Sequence, residues 1–282
     1  MQTLLEIIKK TAGFLDKRGV ENPRLNAELL IGHGLGLARM QLYLQFERPL
    51  TEEELDRIRP LVKRRGDREP LQYIVGSTDF AGITLKVDRR ALIPRPETEY
   101  FVEILRERLA ASPPAQILDL GTGSGALALA LAQGWPSAQA QGVDLSVEAL
   151  ALAAENAAAL SLAGRVRIIR SDWFAEVTAG SVFDLIVANP PYLSDAETAA
   201  AQQEVRDFEP LSALSAGPDS AAALNRLVRE ARPWMAPGGL LALETGIGHH
   251  DALAALSREC GYASAESIND LTGRPRFLLI RQ

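Results

Sequence analysis

The sequence of 282 residues contains a single cysteine, Cys260, and only three histidines, His33, His249 and His250. One cysteine excludes an internal disulfide framework and a cysteine-rich metal site. His249 and His250 are adjacent, so on a helix their side chains would point in different directions. No third ligand for them is apparent in the sequence. We therefore expect no metal site.

Long apolar stretches and an excess of positive charge are also absent. No run approaches the about 18 apolar residues of a membrane-spanning helix. Residues 1–10 are amphipathic and lack the continuous apolar stretch and the cleavage site of a signal peptide. The formal net charge is −6 at pH 7. These absences predict a cytoplasmic protein without a membrane partner.

The charge is uneven along the chain. Residues 1–75 contain 13 Lys and Arg against 11 Asp and Glu, whereas residues 76–282 contain 17 against 25. A basic N-terminal part would suit RNA or an acidic partner. For so small an excess, a solvated helical surface is the preferred interpretation. The acidic second part argues against a stable nucleic-acid partner, which needs charge that neutralises phosphates.

The pattern of apolar residues divides the chain into three parts. Residues 1–75 show helical spacing without strand-like alternation, and Thr51 with Glu54 forms a capping-box pattern. They predict a small helical bundle. Residues 76–96 form a linker in which a short β-hairpin is predicted. From residue 97 to residue 282, strand and helix patterns alternate, which predicts an α/β domain with a parallel sheet and helices on both faces.

Six strands are predicted in this third part. They lie at residues 117–120, 140–143, 166–169, 183–187, 239–244 and 277–280. In sheets of this kind, ligands bind outside the carboxyl ends of the strands. Candidate site residues are therefore sought directly after each strand.

A glycine-rich turn follows the first of these strands. It reads Asp119-Leu120-Gly121-Thr122-Gly123-Ser124-Gly125. Glycines let the backbone turn tightly and approach a ligand without a clash of Cβ atoms. We predict that residues Gly121 to Gly125 bind a cofactor. This loop alone also fits a nicotinamide-dinucleotide site, or a turn whose glycines serve only packing.

Acidic and aromatic residues follow the next two strands. Asp144 ends the second strand, where a carboxylate can accept hydrogen bonds from both hydroxyls of a ribose. Its alternative role is to cap the following helix, which Ser146 could do instead. Asp172 and Trp173 follow the third strand and could bind the amino edge and the face of an adenine. The alternative for Trp173 is ordinary core packing.

The most specific motif is Asn189-Pro190-Pro191-Tyr192, after the fourth strand. Two prolines remove two N–H donors and fix two φ angles. The resulting rigid loop offers the side-chain carbonyl of Asn189 and the backbone carbonyl of Pro190 to a planar N–H₂ group, while Tyr192 supplies a flat wall. We predict Asn189, Pro190 and Tyr192 as catalytic residues, and the whole motif as the substrate-binding loop.

This combination predicts an S-adenosylmethionine-dependent methyltransferase that acts on an amide or amino nitrogen. A sulfonium methyl group is already activated, so the transfer chiefly needs alignment. Three alternatives remain. They are a DNA or RNA amino-methyltransferase, a non-enzymatic module that binds S-adenosylmethionine, and a nicotinamide-dependent dehydrogenase.

The motifs resemble those of the HemK-type protein glutamine methyltransferases over nearly the whole chain. Besides the glycine turn and Asn189 to Tyr192, the resemblance includes Pro70 to Gly76, Phe80 to Gly82, the stretch Leu92 to Glu99, Glu204-Val205, Glu209-Pro210 and Asp270 to Arg276. The stretch Pro94-Arg95-Pro96-Glu97-Thr98-Glu99 discriminates most, because nucleic-acid methyltransferases with the Asn-Pro-Pro-Tyr loop are not expected to carry it.

The resemblance implies a class I (Rossmann-like) methyltransferase sheet of seven strands, with an N-terminal helical bundle and a β-hairpin linker. It implies S-adenosyl-L-methionine as cofactor, contacted by Gly121 to Gly125, Asp144, Trp173 and Asn189. It also implies the substrate, which is the glutamine of the Gly-Gly-Gln motif in bacterial class I release factors. Two stretches depart from the family pattern, Gly246 to His250 and Asp219 to Ala221.

Overall fold

The computed structural model describes residues 2–282 and divides into two compact units. The first extends to Ser77 and also includes Gln202–Phe208. The second consists of Thr78–Ala201 and Glu209–Gln282. No helix among residues 2–282 is long and apolar enough to cross a membrane.

The first unit is helical. Its helices are α1 (Leu4–Lys17), α2 (Pro23–Leu35), α3 (Arg39–Tyr43), α4 (Glu52–Gly66), α5 (Leu71–Val75) and α10 (Gln203–Phe208). The predicted capping box at Thr51 and Glu54 is present, and Thr3 with Glu6 forms a second one. These caps satisfy backbone N–H groups that a helix start leaves unpaired. The helices enclose a core of Leu, Ile and Val side chains.

Residues Gln202–Phe208 belong to this unit although they lie far along the chain. The carboxylate of Glu204 accepts hydrogen bonds from Arg65 Nη2 at 3.0 Å and from Arg68 Nη2 at 2.6 Å. Arg65 is buried and also donates to Asn26 at 2.8 Å. Charged groups that leave water need such partners. The sequence pattern alone assigned these residues to the α/β part because they lie between two of its strands.

The predicted hairpin is formed by β1 (Ser77–Phe80) and β2 (Ile83–Lys86), and all of it except Ser77 belongs to the second unit. A sheet of seven strands follows. The strands are β3 (Gln116–Leu120), β4 (Gln139–Asp144), β5 (Val166–Arg170), β6 (Phe183–Ala188), β7 (Met235–Glu244), β8 (Ser264–Asn269) and β9 (Pro275–Arg281). Their order is β5-β4-β3-β6-β7-β9-β8.

The strand predictions hold for six strands and miss one. Strands β3 to β7 are parallel, as predicted, but β9 runs antiparallel to both β7 and β8. The missed strand β8 lies at the edge of the sheet, and four of its six residues are exposed. An edge strand with polar residues gives no apolar periodicity for a sequence pattern to detect.

The helices of this unit cover both faces of the sheet. They are α6 (Pro96–Arg108), α7 (Ala126–Gly134), α8 (Val147–Ala159), α9 (Asp195–Ala199), α11 (Ala222–Glu230) and α12 (His250–Glu259). Successive residues of the central strands belong to different cores: in β3, Ile117 packs in one and Leu118 in the other. This alternation is the period of a strand buried on both faces.

One buried amide joins two loops of this unit. Asn156, on α8, is 1% exposed. Its Oδ1 accepts from the backbone N–H of Lys86 at 2.8 Å, while its Nδ2 donates to the carbonyl oxygens of Lys86 at 3.1 Å and Ser124 at 2.9 Å. The hairpin end and the glycine turn are therefore connected through one side chain.

We expect Asn156→Ala to lower the free energy of unfolding by ~1–3 kcal/mol or more, because it leaves buried backbone groups without partners. Urea unfolding at neutral pH measures the change. Ala158→Ser, at an exposed position of the same helix, is the matched control and should stay within about 0.5 kcal/mol of the wild type. Equal unfolding midpoints for Asn156→Ala and the control would contradict this role.

Candidate active site

The site lies where the strand order reverses. Strand β3 pairs with β4 on one side and with β6 on the other, so the chain segments after these strands leave a crevice at the carboxyl edge. A cavity of about 490 Å³ opens there. Most of the predicted site residues line it: Gly121, Thr122, Gly123, Ser124, Asp144, Asp172, Trp173, Asn189 and Pro191. Three other residues that were predicted to belong to the site do not line the cavity: Gly125, Pro190 and Tyr192.

The glycine turn has two kinds of glycine. Gly121, Gly123 and Gly125 all have positive φ, at 74°, 56° and 84°. A Cβ atom on Gly123 would meet nothing within 4 Å, so this backbone faces open space beside the cavity. A Cβ atom on Gly125 would lie 2.9 Å from Leu129 Cδ1 and 3.3 Å from Ala153 Cβ. Gly125 therefore permits close packing between α7 and α8, a role distinct from the predicted cofactor contact.

Asp144 is held by two backbone N–H groups. Its Oδ2 accepts from Gly123 at 2.9 Å, and its Oδ1 accepts from Ser146 at 2.9 Å. Ser146, not Asp144, caps α8, because its Oγ accepts from Ala149 N. An ionised carboxylate has about four acceptor positions, so each oxygen of Asp144 can accept a further hydrogen bond. The capping alternative is thus excluded.

Asp119 also lines the cavity, although its sequence position was not selected as a candidate site. It is fully buried in β3, and its Oδ2 accepts from Thr122 Oγ1 at 2.6 Å and from Ala128 N at 3.1 Å. Its Oδ1 has no partner among the described residues. Burial raises the pKa of Asp119 to about 7. An acidic residue inside an otherwise apolar strand was the signal that could have identified it.

Asp172 and Trp173, in the segment after β5, both line the cavity. Trp173 has a φ of 53°, and its ring atom Cζ3 would lie 3.4 Å from a Cβ atom on Gly121. The ring therefore packs against the glycine turn and also borders the cavity. Asp172 is exposed, and both of its oxygens accept from Arg226 Nη1, at 2.9 Å and 3.1 Å. Asp172 thus has a charged partner that its sequence position did not indicate.

A hydrogen-bonded chain supports the loop after β6. Asn189 Nδ2 donates to Thr98 Oγ1 at 3.1 Å, and Thr98 Oγ1 donates to Glu244 Oε2 at 2.7 Å. The hydroxyl of Tyr192 donates to the other oxygen, Glu244 Oε1, at 3.2 Å. Thr98 and Glu244 are buried, at 4% and 1% exposure. Neither was selected as a site residue from the sequence.

Burial is the largest cause of the pKa shifts of Glu244 and Tyr192 in this chain of hydrogen bonds. Burial raises the pKa of Glu244 to about 7, although the hydrogen bonds from Thr98 and Tyr192 and the positive charge of Arg276 oppose the rise. Burial and the negative charge of Glu244 also raise the pKa of Tyr192. The Tyr192 ring lies 5.9 Å from the guanidinium carbon of Arg276. Tyr192 therefore stays neutral and acts as a donor and a packing surface.

The discriminating stretch Pro94 to Glu99 contacts three separate segments. Arg95 donates to Glu209 at 2.7 Å, and Thr98 joins Glu244 as described. Glu99 accepts from the backbone N–H of Ala81 at 2.8 Å. Glu209 is itself buried and also accepts from Ile93 N at 3.2 Å. These contacts explain physically why the stretch has charged or hydroxyl side chains at positions 95, 98 and 99.

The two departures from the family pattern contact each other. Ser220 Oγ lies 3.0 Å from His249 Nε2. The neighbouring His250 ring lies between Thr245 Oγ1 at 2.8 Å and Ser267 Oγ at 2.7 Å. Burial lowers the pKa of both histidines, which favours neutral rings that can form these bonds. The departures thus form local contacts away from the cavity lining.

Comparisons with known proteins agree with the motifs. Residues 6–76 match the family model described as the PrmC N-terminal domain, and residues 97–207 match the model described as the methyltransferase small domain. A release factor glutamine methyltransferase of Rhodopirellula baltica is 37% identical over 287 residues, covering 99% of this chain and 96% of that protein. One of Geobacter sulfurreducens is 41% identical over 277 residues, covering 98% and 95%. The chain belongs to the release factor glutamine methyltransferase family.

The family assignment made from the motifs is confirmed, and the enzyme is a methyltransferase. Solved structures support the same fold. The T. thermophilus 16S rRNA methyltransferase RsmC, in complex with AdoMet and guanosine, matches with a TM-score of 0.52 at 20% identity and covers 73% of this chain and 49% of that chain. The hMettl16 catalytic domain, in complex with MAT2A 3'UTR hairpin 6, matches with a TM-score of 0.59 at 13% identity, covering 78% and 81%. At these identities the likeness concerns the fold alone.

The raised pKa of Glu244 generates a stability prediction. A carboxyl group whose pKa is higher in the folded state contributes stability below its ordinary value of 4.5, and this contribution is lost as the pH rises through about 7. Glutamine at this position does not titrate. We therefore expect the stability of the wild type, relative to Glu244→Gln, to fall between pH 4.5 and pH 7.

Urea unfolding of both proteins at several pH values measures this difference. The titration of Asp119 is common to the two proteins and therefore cancels. A difference in unfolding free energy that stays constant across this pH range would contradict the assigned burial of Glu244.

Proposed function

We propose that the enzyme transfers a methyl group from S-adenosyl-L-methionine to the side-chain amide nitrogen, N5, of the glutamine in the Gly-Gly-Gln motif of bacterial class I release factors. This reaction supports translation termination. The names of the relatives support a release factor as the substrate. The proposal depends most on the side chain of Asn189, which lines the cavity. Its Nδ2 donates to Thr98 Oγ1. Its Oδ1 receives no hydrogen bond from the described residues and can accept one from a substrate.

The residues around the cavity fit this cofactor. Asp144 has acceptor positions left for two ribose hydroxyls, and the unpaired Oδ1 of Asp119 can accept from an ammonium group. The open space beside Gly123 allows close approach of a ligand to the backbone. Trp173 offers an aromatic face to the adenine, and Asp172 keeps acceptor positions beside its partner Arg226. These features support cofactor binding by Gly121 to Ser124, Asp144, Asp172, Trp173 and Asn189.

When bound, S-adenosylmethionine supplies a methyl group that is already activated by the sulfonium centre. The contribution of this chain is therefore alignment of the attacking nitrogen. An amide nitrogen is a poor nucleophile because its lone pair is delocalised into the carbonyl group. Hydrogen bonds from the target N–H₂ to Asn189 Oδ1 and to the backbone carbonyl of Pro190 return electron density to the nitrogen. Pro190 and Pro191 fix the loop that carries both acceptors.

We assign substrate recognition outside the reacting glutamine to residues 1–75. Residues 76–96 form the linker, and residues 97–282 carry the reaction. In support, the residues that line the cavity all lie between Arg90 and Ala213. The match of residues 6–76 to the PrmC N-terminal domain also supports a separate role for this part.

The test is to incubate the protein with a class I release factor and S-adenosylmethionine and to locate the added methyl group by mass spectrometry. One methyl group on the Gly-Gly-Gln glutamine is expected. Asn189→Ala should lower the rate by roughly 10²–10³, as for the loss of one preorganised partner in other catalytic sites. Val182→Ala, at an exposed position before β6, is the control and should keep the wild-type rate.

A short peptide with the same motif should be a poorer substrate than the intact factor if residues 1–75 contribute to recognition. Equal efficiency for both substrates would remove this role. Methylation of another residue, or no methylation of the intact factor, would overturn the proposed function.

The assignment of Asp144 has its own test. Removing two charge-assisted hydrogen bonds, worth ~1.5–3 kcal/mol each, should weaken S-adenosylmethionine binding at least roughly tenfold in Asp144→Ala. Calorimetric titration measures the Kd. Asp144→Asn keeps one acceptor and should give an intermediate Kd, while Asp251→Ala, an exposed residue of α12, is the unaffected control. An unchanged Kd in Asp144→Ala would exclude Asp144 from the site.

A further inference from the structure

The chain of hydrogen bonds behind the Asn189 loop ends on a buried carboxylate with no other assigned role. Glu244 is the last residue of β7, beside the strand that Asn189 follows. Its two oxygens are each taken by one hydroxyl, Thr98 Oγ1 at 2.7 Å and the Tyr192 hydroxyl at 3.2 Å. Asn189 contacts this carboxylate only through Thr98.

The proton of Thr98 determines the direction of the whole chain. A threonine hydroxyl has one proton to donate, whereas an ionised carboxylate can only accept. When Glu244 is ionised, the Thr98 proton points to it, so Thr98 can only accept from Asn189. The nitrogen of the Asn189 amide then faces Thr98, and Oδ1 faces the other way.

A neutral Glu244 removes this constraint. Its carboxyl group can donate to Thr98 Oγ1, which frees the Thr98 proton for an acceptor on Asn189. Either end of the Asn189 amide can then face Thr98, and the orientation is no longer selected. The ionised carboxylate therefore distinguishes two amide orientations that have nearly the same shape.

We propose that Glu244 is a positioning residue that acts through Thr98 to keep the carbonyl of Asn189 turned toward the target amide. This inference rests on the proposed function, in which Asn189 Oδ1 accepts from the substrate nitrogen. The second donor to Glu244 is Tyr192, so the same carboxylate also holds the last residue of the substrate loop.

The charged and titratable groups that face Glu244 come from three segments. Glu97, on α6 with Thr98, favours the neutral form, as does burial. Arg276, on β9, favours the ionised form, and the hydroxyl of Tyr192 does so by donating a hydrogen bond. With a pKa of about 7, Glu244 gains its charge as the pH rises through neutrality. The rate of methyl transfer at saturating cofactor should rise over the same range.

Single-turnover rates at saturating S-adenosylmethionine test this proposal. Thr98→Val has nearly the shape of threonine without the hydroxyl, and we expect a rate at least roughly tenfold lower, since one lost selective hydrogen bond is worth about one decade. Thr98→Ser restores the hydroxyl and should recover most of the rate. Glu244→Gln, which can donate to Thr98, should be slow at every pH. Glu99→Gln, on the same helix but bonded to Ala81, is the matched control.

The pH profile separates positioning from a structural role. The wild type and Glu99→Gln should lose rate as the pH falls below about 7, and Thr98→Val should lack this dependence because Asn189 is no longer connected to Glu244. A Thr98→Val variant that is slow but keeps the wild-type pH profile would overturn the proposal. If Glu244→Gln does not fold, the pair of Thr98 variants decides.

The failure of this proposal differs from the failure of the proposed function. Wild-type rates in Thr98→Val and Glu244→Gln, together with a slow Asn189→Ala, would overturn the positioning role and leave the role of Asn189 intact. A wild-type rate in Asn189→Ala would remove the catalytic role of Asn189, and the positioning role would fall with it.

Discussion

The reversal of strand order between β4 and β6, on the two sides of β3, is the constraint on which the site depends. Parallel strands end at one edge, and at a reversal the following segments diverge and leave a crevice. The glycine turn after β3, Asp144 at the end of β4 and Asn189 after β6 therefore meet without being close in sequence. The buried amide of Asn156 then fixes the position of the glycine turn against the hairpin.

The chain through Glu244 shows a conflict between stability and orientation. A carboxylate that is 1% exposed raises the free energy of the folded state when it is ionised. Two hydroxyl donors and the charge of Arg276 offset part of this cost. An apolar residue would avoid the cost, but it could not fix the direction of the Thr98 proton. The stability lost by burying an ionised Glu244 thus accompanies the defined orientation of the Asn189 amide.

The sequence predicted those parts of the fold and the site that depend on local pattern. Buried strands have a recognisable apolar run, and the segments directly after them that hold Gly121 and Asn189 have distinctive motifs. Thr98 and Glu244 could not be selected as site residues from the sequence. Thr98 lies 91 positions from Asn189 and 146 positions from Glu244, and only the folded sheet brings these residues together. Strand β8 was missed because an exposed edge strand has little apolar signal. Gly125 was grouped with the cavity because a packing glycine and a ligand-binding glycine look alike in sequence.

A fold by itself does not determine which substrate an enzyme binds. The hMettl16 catalytic domain, solved in complex with MAT2A 3'UTR hairpin 6, shares this fold at 13% identity. In this chain the stretch Pro94 to Glu99 links its charged and hydroxyl side chains to Glu209, Glu244 and Ala81. Through Thr98 it also contacts Asn189, in the loop after β6. The part of the sequence that best identifies the family is thus also the part that hydrogen-bonds to the loop carrying Asn189.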